Sequence, residues 1–344
     1  MTMMRGVVFV GNGRVQVREF SKPRPTGTQV LIEVKVSGLC GSDMHPFRNP
    51  PEYWAEAPII RGHEPSGVVA EVGEAVSMVK VGERVSVYHA PTCNHCEACA
   101  RGEFFNCTTI GPGYRLASMQ VHGSDADYLL VDQNVCLALP DTLSFEDGSI
   151  IACAGGTAYH ALRRGDVHAG EVVLISGLGP VGLCAVKLAR AMGGMVIGSD
   201  LVAYRRALAL QQGANVTIDP TQGPLAEQVK AIAAEGAEVV IETSGNDQAR
   251  VDVVPCTPYH ARLVYVGWGG NAKNATLGPM LGERWITGSN MFAAEDYYTL
   301  VRFMSRTGLH LSDLVTHRFP LESAQEAFDT FATRETGKVV FIWD

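Results

Sequence analysis

The chain has 344 residues, 46% of them hydrophobic and 19% charged, the balance of a folded protein of about two domains and not of a fibrous or disordered one. The formal net charge of -8, from 28 Lys and Arg against 36 Asp and Glu with no basic run, argues against nucleic acid or an anionic membrane as partner. No stretch of about 18 apolar residues is present, and the start, Met1 to Val10, turns polar at Gly11–Arg14 too soon for a signal-peptide core, so a cytoplasmic protein is expected.

From Val7 to about Pro140 the sequence predicts short strands between turns: Gln29–Val36 alternates and is β-branched, Gly67–Val72 follows, then Arg84–Tyr88. After about Cys153 the period changes. Glu171–Ser176 is a continuous apolar run suited to a strand buried on both faces, and Val181, Cys184, Leu188 and Met192 follow at helical spacing. Strand and helix then alternate: strands over Met195–Asp200, Ala214–Ile218, Glu238–Glu242 and Arg262–Val266, with helices over Ala203–Gln212 and Leu225–Ala234 between them. That alternation predicts a doubly wound parallel sheet with helices on both faces. Two further helices, Glu295–Arg306 and Ser323–Thr333, and a closing strand, Lys338–Trp343, complete the chain.

Nine cysteines is an odd number, and four of them crowd into one segment as Cys93, Cys96, Cys99 and Cys107. In a large chain with no export signal this spacing reads as metal rather than disulfide, four thiolates closing one tetrahedral shell around a structural zinc ion. An iron–sulfur cluster fits less well, because the spacing matches neither ferredoxin pattern. Cys40 and His63 lie in two other loops, within Cys40-Gly-Ser-Asp-Met-His45 and Gly62-His-Glu64, and Cys153 could supply a second sulfur. Taken singly, each is as readily a buried small residue or a hydrogen-bonded imidazole. Together they make a Cys, His, Cys set with one position open, the arrangement in which zinc acts as a Lewis acid on an alcohol oxygen.

Gly177-Leu-Gly-Pro-Val-Gly182 stands directly after an apolar strand and opens a helix, where a dinucleotide fingerprint belongs. Gly177 permits the turn, Gly179 lets backbone approach a pyrophosphate, Gly182 allows close helix packing, and Pro180 is tolerated in the first turn. Asp200, at the end of the next strand, can accept from adenosine ribose hydroxyls and would repel a 2′-phosphate. NAD is therefore expected rather than NADP, a preference that Arg205 and Arg206 nearby temper.

In order and approximate spacing, Gly38-Leu-Cys-Gly-Ser-Asp43, Gly62-His-Glu64, the four-cysteine segment and Gly177–Gly182 with Asp200 make the chain resemble a zinc-containing alcohol dehydrogenase of the medium-chain dehydrogenase/reductase superfamily. The resemblance spans nearly the whole chain. It implies an α/β protein with a GroES-like, mostly-β catalytic domain over residues 1–153, to which 290–344 return, and a Rossmann domain over 154–289. It implies two zinc ions per chain: a catalytic one on Cys40, His63 and Cys153 with Glu64 and Asp43 as nearby carboxylates, and a structural one on the four clustered cysteines. Ser42 matches the hydroxyl that bonds the substrate oxygen, and His45 the imidazole that passes the proton to solvent through the cofactor ribose. Thr157 and Val181 match residues that pack on the nicotinamide. His89 falls where an aromatic residue commonly lines the substrate pocket, and a polar ring there hints at a substrate with additional oxygen. Met44, Phe47, Tyr53, Trp54 and Met291–Phe292 are further pocket candidates, or ordinary core.

The expected activity is hydride transfer between NAD and an alcohol, whether secondary alcohol, polyol or sugar-like, in a homodimer or homotetramer. The alternatives are a metal-free quinone or enoyl reductase, or a non-catalytic nucleotide-binding protein on the same scaffold. The first lacks the zinc ligands, whereas this chain keeps them; the intact Cys40, Ser42, His45, His63 and Cys153 speak against the second.

Overall fold

The computed structural model describes residues 2–54, 58–90, 92–109, 121–269 and 281–343, Trp54 and Leu281 by backbone alone. Contacts group the chain into two compact units, Met1–Gly156 with Phe292–Asp344, and Thr157–Met291.

The first unit opens with an antiparallel hairpin, β1 (Met3–Gly11) and β2 (Arg14–Ser21). Its main sheet starts with β3 (Gln29–Gly38), followed by β4 (Pro65–Val72), β5 (Arg84–Val87), β6 (Tyr128–Asp132) and β7 (Cys136–Ala138). Val30, Leu31, Ile32 and Val34 of β3 are all fully buried, as the β-branched run requires of a strand covered on both faces. The chain then turns helical over a stretch not predicted as helix. α1 (Phe145–Ile150) is capped by Ser144 and Asp147, a π turn covers Ile151–Gly155, and α2 (Gly156–Arg164) continues it.

In the second unit, β8 (Val172–Ser176), α3 (Pro180–Ala191), β9 (Met195–Ser199), α4 (Ala203–Gln211), β10 (Val216–Ile218), α5 (Leu225–Ile232), β11 (Val239–Glu242), α6 (Asp247–Asp252), β12 (Arg262–Tyr265) and β13 (Trp285–Gly288) follow in turn. All six strands pair in parallel in the order β10-β9-β8-β11-β12-β13. This is the Rossmann order, with the reversal at β8 and β11, where open α/β sheets bind ligands beyond the strand ends. Leu174, Ile197, Val240 and Leu263 join one buried cluster, which explains why these strands read as apolar runs rather than alternations.

The chain returns to the first unit with α7 (Ala294–Thr307), β14 (Val315–Phe319), α8 (Ala324–Ala332) and β15 (Lys338–Ile342). β15 pairs antiparallel with β3, extending the sheet to the order β14-β15-β3-β4-β5-β7. Phe9, Phe47, Phe328 and Phe341 fill the core between hairpin and sheet, so Phe47 is packing and not pocket lining. Phe292 is likewise fully buried, edge-on to Tyr88, while Tyr53 is exposed and the Trp54 side chain lies outside the described residues.

Candidate metal centre and dinucleotide site

Cys40 follows the end of β3, His63 precedes β4, and Cys153 stands in the π turn after α1. Backbone pairing of β3 with β4 and the packing of α1 on both bring these three loops together. The ligand atoms of Cys40, His63, Glu64 and Cys153 lie within 4.8 Å of one another, and all four residues are buried. Two sulfurs and an imidazole at this spacing suit zinc, which takes thiolate and histidine donors at about 2.0–2.3 Å. The Cys40 thiol stands well below its ordinary value, first because Cys153 hydrogen-bonds to it and then through His63; Cys153 is raised by the same bond. Thiolate is the form in which cysteine binds metal.

Carboxylates surround this set. Asp43 places Oδ1 3.3 Å from His63 Nδ1 while its Oδ2 accepts from the Cys40 backbone N–H at 2.9 Å, so one side chain orients both donors and leaves His63 Nε2 for a metal. Burial pulls the His63 imidazolium down, but Asp43 and Cys40 outweigh it and the net shift is upward. Glu64 is fully buried and paired with Lys338 of β15, whose ammonium also donates to the Leu39 carbonyl at 2.8 Å. Burial carries Glu64 up to about 7 against the pull of Lys338. Lys338 escaped the sequence reading because a single lysine heading an apolar strand gives no signal of its own. Buried Arg61, stacked 4.4 Å from the Phe9 ring centroid, and buried Asp125, accepting from Ser37 Oγ at 2.7 Å, add further charges behind His63 that no motif announced.

Ser42 is half-buried with Oγ 3.5 Å from His63 Nε2, on the donor side of the ring. His45 lies on the same short helical turn but is exposed, and its ring makes no hydrogen bond among the described residues. His89 follows β5. Its ring stands 5.2 Å from that of His63, stacks on Tyr88 and directs Nδ1 at the Ala152 carbonyl, 3.2 Å away. Burial and the facing His63 lower His89 to about 3, so it is neutral.

The second donor cluster is Cys93, Cys96, Cys99 and Cys107, again with sulfurs within 4.8 Å of one another. Sulfurs bound tetrahedrally to one zinc ion stand about 3.8 Å apart, and Cys93 and Cys99 are 3.8 Å apart. Backbone N–H groups of Cys99 and Thr108 hold the Cys96 thiol at about 5, and a hydrogen bond with Thr109 is the first cause of Cys93 standing at about 7. With four protein donors, this cluster leaves no position for a substrate.

At the other site, Gly177 turns with φ of 88°, a left-handed conformation that only glycine adopts freely. Gly182, on the first turn of α3, sits so close beneath it that a Cβ would lie 1.9 Å from the Gly177 carbonyl oxygen. Gly179 caps α3 and Pro180 is its first residue, so the free N–H groups of the helix start open onto the loop. Asp200, following β9, accepts from the Leu178 N–H at 2.7 Å and the Val202 N–H at 2.8 Å, which leaves lone pairs on both oxygens for a ligand. Thr243, absent from the sequence reading, donates to the Gly177 carbonyl at 2.7 Å and fixes the loop from β11. Arg206 pairs with Asp219 at 2.9 Å, whereas the Arg205 guanidinium lies next to Gly179. Val181 is half-buried in the first turn of α3, and Thr157 is buried in the first turn of α2.

Comparison with known proteins bears directly on this pair of sites. Residues 26–141 match the alcohol dehydrogenase GroES-like domain, and residues 180–306 match the zinc-binding dehydrogenase family. The uncharacterized zinc-type alcohol dehydrogenase-like protein YphC of Escherichia coli (strain K12) is 36% identical, over 99% of each chain. This chain belongs to the zinc-type alcohol dehydrogenases. As such it is an oxidoreductase acting on CH–OH donors. The L-threonine 3-dehydrogenase of Coxiella burnetii is 32% identical over 94% of each chain. Among solved structures, a zinc-binding dehydrogenase from Sinorhizobium meliloti 1021 bound to NADP has a TM-score of 0.88 at 26% identity, covering 100% of each chain. The alcohol dehydrogenase rspB of E. coli CFT073 complexed with NADH has a TM-score of 0.87 at 26% identity over 100% of each chain. The two-domain fold expected of the dehydrogenase, a GroES-like unit and a Rossmann unit, is the fold observed. No helix among the described residues is long and apolar enough to cross a membrane.

Proposed function

We propose that this dehydrogenase transfers hydride between a small alcohol and NAD, using one catalytic zinc ion held by Cys40, His63 and Cys153 and one structural zinc ion held by Cys93, Cys96, Cys99 and Cys107. The convergence of two thiols and an oriented imidazole in one buried cluster carries the reading. A bound zinc ion supplies Lewis acidity that lowers the pKa of an alcohol oxygen, as it does that of water. The residues do the rest. Ser42 takes the proton from the substrate hydroxyl, His45 delivers it to solvent from its exposed position, and Asp43 keeps His63 in the tautomer that presents Nε2. Glu64, held by Lys338 through one oxygen, stands beside these ligands as a nearby carboxylate.

The glycine loop and α3 N-terminus fit a pyrophosphate, and the remaining lone pairs of Asp200 suit ribose hydroxyls. NAD is preferred because a 2′-phosphate would meet that carboxylate, with Arg206 already committed to Asp219. Thr157 and Val181 pack on the nicotinamide, and the protein works as a cytoplasmic homodimer or homotetramer, as the family resemblance implies. The test is metal analysis with a cofactor comparison on the purified protein. About two zinc ions per chain and higher kcat/KM with NAD than NADP are expected, and Asp200→Gly narrows that ratio. One zinc or none, with reduction of quinones or enones, would establish the metal-free reductase instead.

A further inference from the structure

The two residues before His63 are built into the core of the first unit. Ile60 bridges to Val8 of β1, the Arg61 N–H donates to the Val7 carbonyl at 2.8 Å, and the Arg61 carbonyl accepts from the Asp125 N–H at 2.7 Å. A Cβ on Gly62 would lie 2.1 Å from Asp125 Oδ1, so that carboxyl group is packed against the residue directly before the metal ligand. Asp125 is fully buried, with the same oxygen accepting from Ser37 Oγ. Arg61 is 1% exposed, and its guanidinium carbon stands 4.4 Å from the centroid of the Phe9 ring, which Phe47 and Phe328 meet edge-on. Burial pulls this guanidinium down, and the charges that oppose the pull are Asp43 first and Asp125 next. Asp125 in turn is carried up to about 7 by burial and then by Asp43, while His63 and Arg61 draw it back. Arg61, Asp43, Asp125 and His63 therefore form one buried group. Of the four, only the guanidinium carries a positive charge that metal binding to a neutral imidazole leaves in place. Two buried carboxylates within reach of each other repel unless a cation balances them. One of these two is Asp43, the side chain that meets His63 Nδ1 at 3.3 Å and the Cys40 N–H at 2.9 Å.

We propose that Arg61 is a positioning residue of the metal centre: its guanidinium, stacked on Phe9, balances Asp125 and so keeps Asp43 turned to the His63 ring and the Cys40 backbone. This rests on the zinc reading above and adds to it a cation that the short motifs do not contain. Arg61 touches neither metal nor substrate in this scheme.

The zinc-loaded full-length protein would be titrated with a chelator at one neutral pH, each ion being assigned by the release phase that disappears in Cys40→Ser or in Cys96→Ser. Arg61→Met keeps an apolar chain against Phe9 but has no charge. It should weaken the ion assigned to Cys40 about 10–100-fold, the effect of losing a group that orients a ligand, and leave the four-cysteine ion unaltered. Adding Asp125→Asn removes the carboxylate left without a cation and should recover most of that loss. Arg61→Lys, which keeps the charge but not the planar stack, should lose less than Arg61→Met. An unchanged Cys40 ion in Arg61→Met, equal weakening of both ions, or a loss that Asp125→Asn does not recover overturns the proposal. If Arg61→Met does not fold, Asp125→Asn must restore both folding and the Cys40 ion, and a double variant that stays unfolded overturns it as well. A second readout needs no metal titration. In proton spectra of the protein as purified, the His63 Nδ1–H bonded to Asp43 should resonate far downfield in wild type and in the double variant, and move upfield or vanish in Arg61→Met. The same resonance unmoved in Arg61→Met rejects the assignment. If Cys40→Ser removes no ion, the zinc reading is what fails, and the His63 resonance still decides Arg61.

Discussion

Asp43 acts through two bonds, one to the His63 ring and one to the Cys40 backbone, and so has more leverage on the donor set than its distance from any substrate suggests. Asp43→Asn is expected to weaken zinc binding about 10–100-fold, the usual effect of losing a group that orients a ligand, read by competition with a chelator. Cys40→Ser or His63→Ala should abolish alcohol oxidation while NADH binding, followed by fluorescence, stays intact, because the dinucleotide residues lie in the other unit. Lys338 is a different case. Removing it in Lys338→Met strands the buried Glu64 and should cost about 3–5 kcal/mol, visible as a drop in thermal midpoint, whereas adding Glu64→Gln should return much of it. Equal midpoints for the single and double variants would show that the pair contributes nothing as a pair. Of these residues the sequence pointed to Cys40, Asp43, His63 and Glu64 through their short motifs, but not to Lys338, whose partner is 274 positions away.

The element that delivers Cys153 is short and depends on its ends. α1 begins at a box in which Asp147 accepts from the Ser144 N–H and hydroxyl, and the same carboxylate accepts from the Ser312 N–H at 2.8 Å and faces His310 Nδ1 at 3.0 Å. Burial alone would raise Asp147; the bonds to His310, Ser312 and Ser144 outweigh it and leave it below 3.8. The sign follows directly. A carboxylate with a depressed folded value contributes stability that is complete above the ordinary carboxylate range and is lost as pH falls through the depressed one, here below 3.8. Asp147→Ala should lower stability by about 1.5–3 kcal/mol at neutral pH and flatten the acid limb of a plot of thermal midpoint against pH; an unchanged acid limb would exclude this carboxylate as its source. In the second unit, Gly182→Val should push α3 off β8 and weaken NADH binding at least tenfold in fluorescence titrations, since even a Cβ collides with the Gly177 carbonyl. The long strands and helices were readable from periodicity. The helical stretch after Ser144 was not, because Ile151-Ala-Cys-Ala-Gly-Gly is apolar and glycine-rich without helical spacing, and packing rather than pattern decides its π turn.

Each unit has its own buried cluster, Phe9, Phe47, Phe328 and Phe341 among the residues of one, Leu174, Ile197, Val240 and Leu263 among those of the other. The four-cysteine segment belongs to the first unit and offers little apolar burial beyond Phe104, so an ion is what can hold it in place. Cys96→Ser should therefore reduce zinc by about one ion per chain and lower the thermal midpoint by several degrees, leaving NADH affinity unaltered. Retention of the full zinc content would remove the cluster from consideration as a metal site. What the sequence determined alone was whatever is written in neighbouring positions: the cysteine spacing, the glycine loop behind an apolar strand, the βαβ alternation, and hence the family. The tertiary structure decided what depends on residues far apart in the chain. It placed Cys153 beside Cys40 and His63, put Lys338 under Glu64, joined Thr243 to the Gly177 carbonyl and fixed the tautomer of His89 through the Ala152 carbonyl. Local pattern records which chemistry a segment can offer, but the partner that sets charge, tautomer or orientation comes from strand pairing and core packing, which leave no mark at any one position.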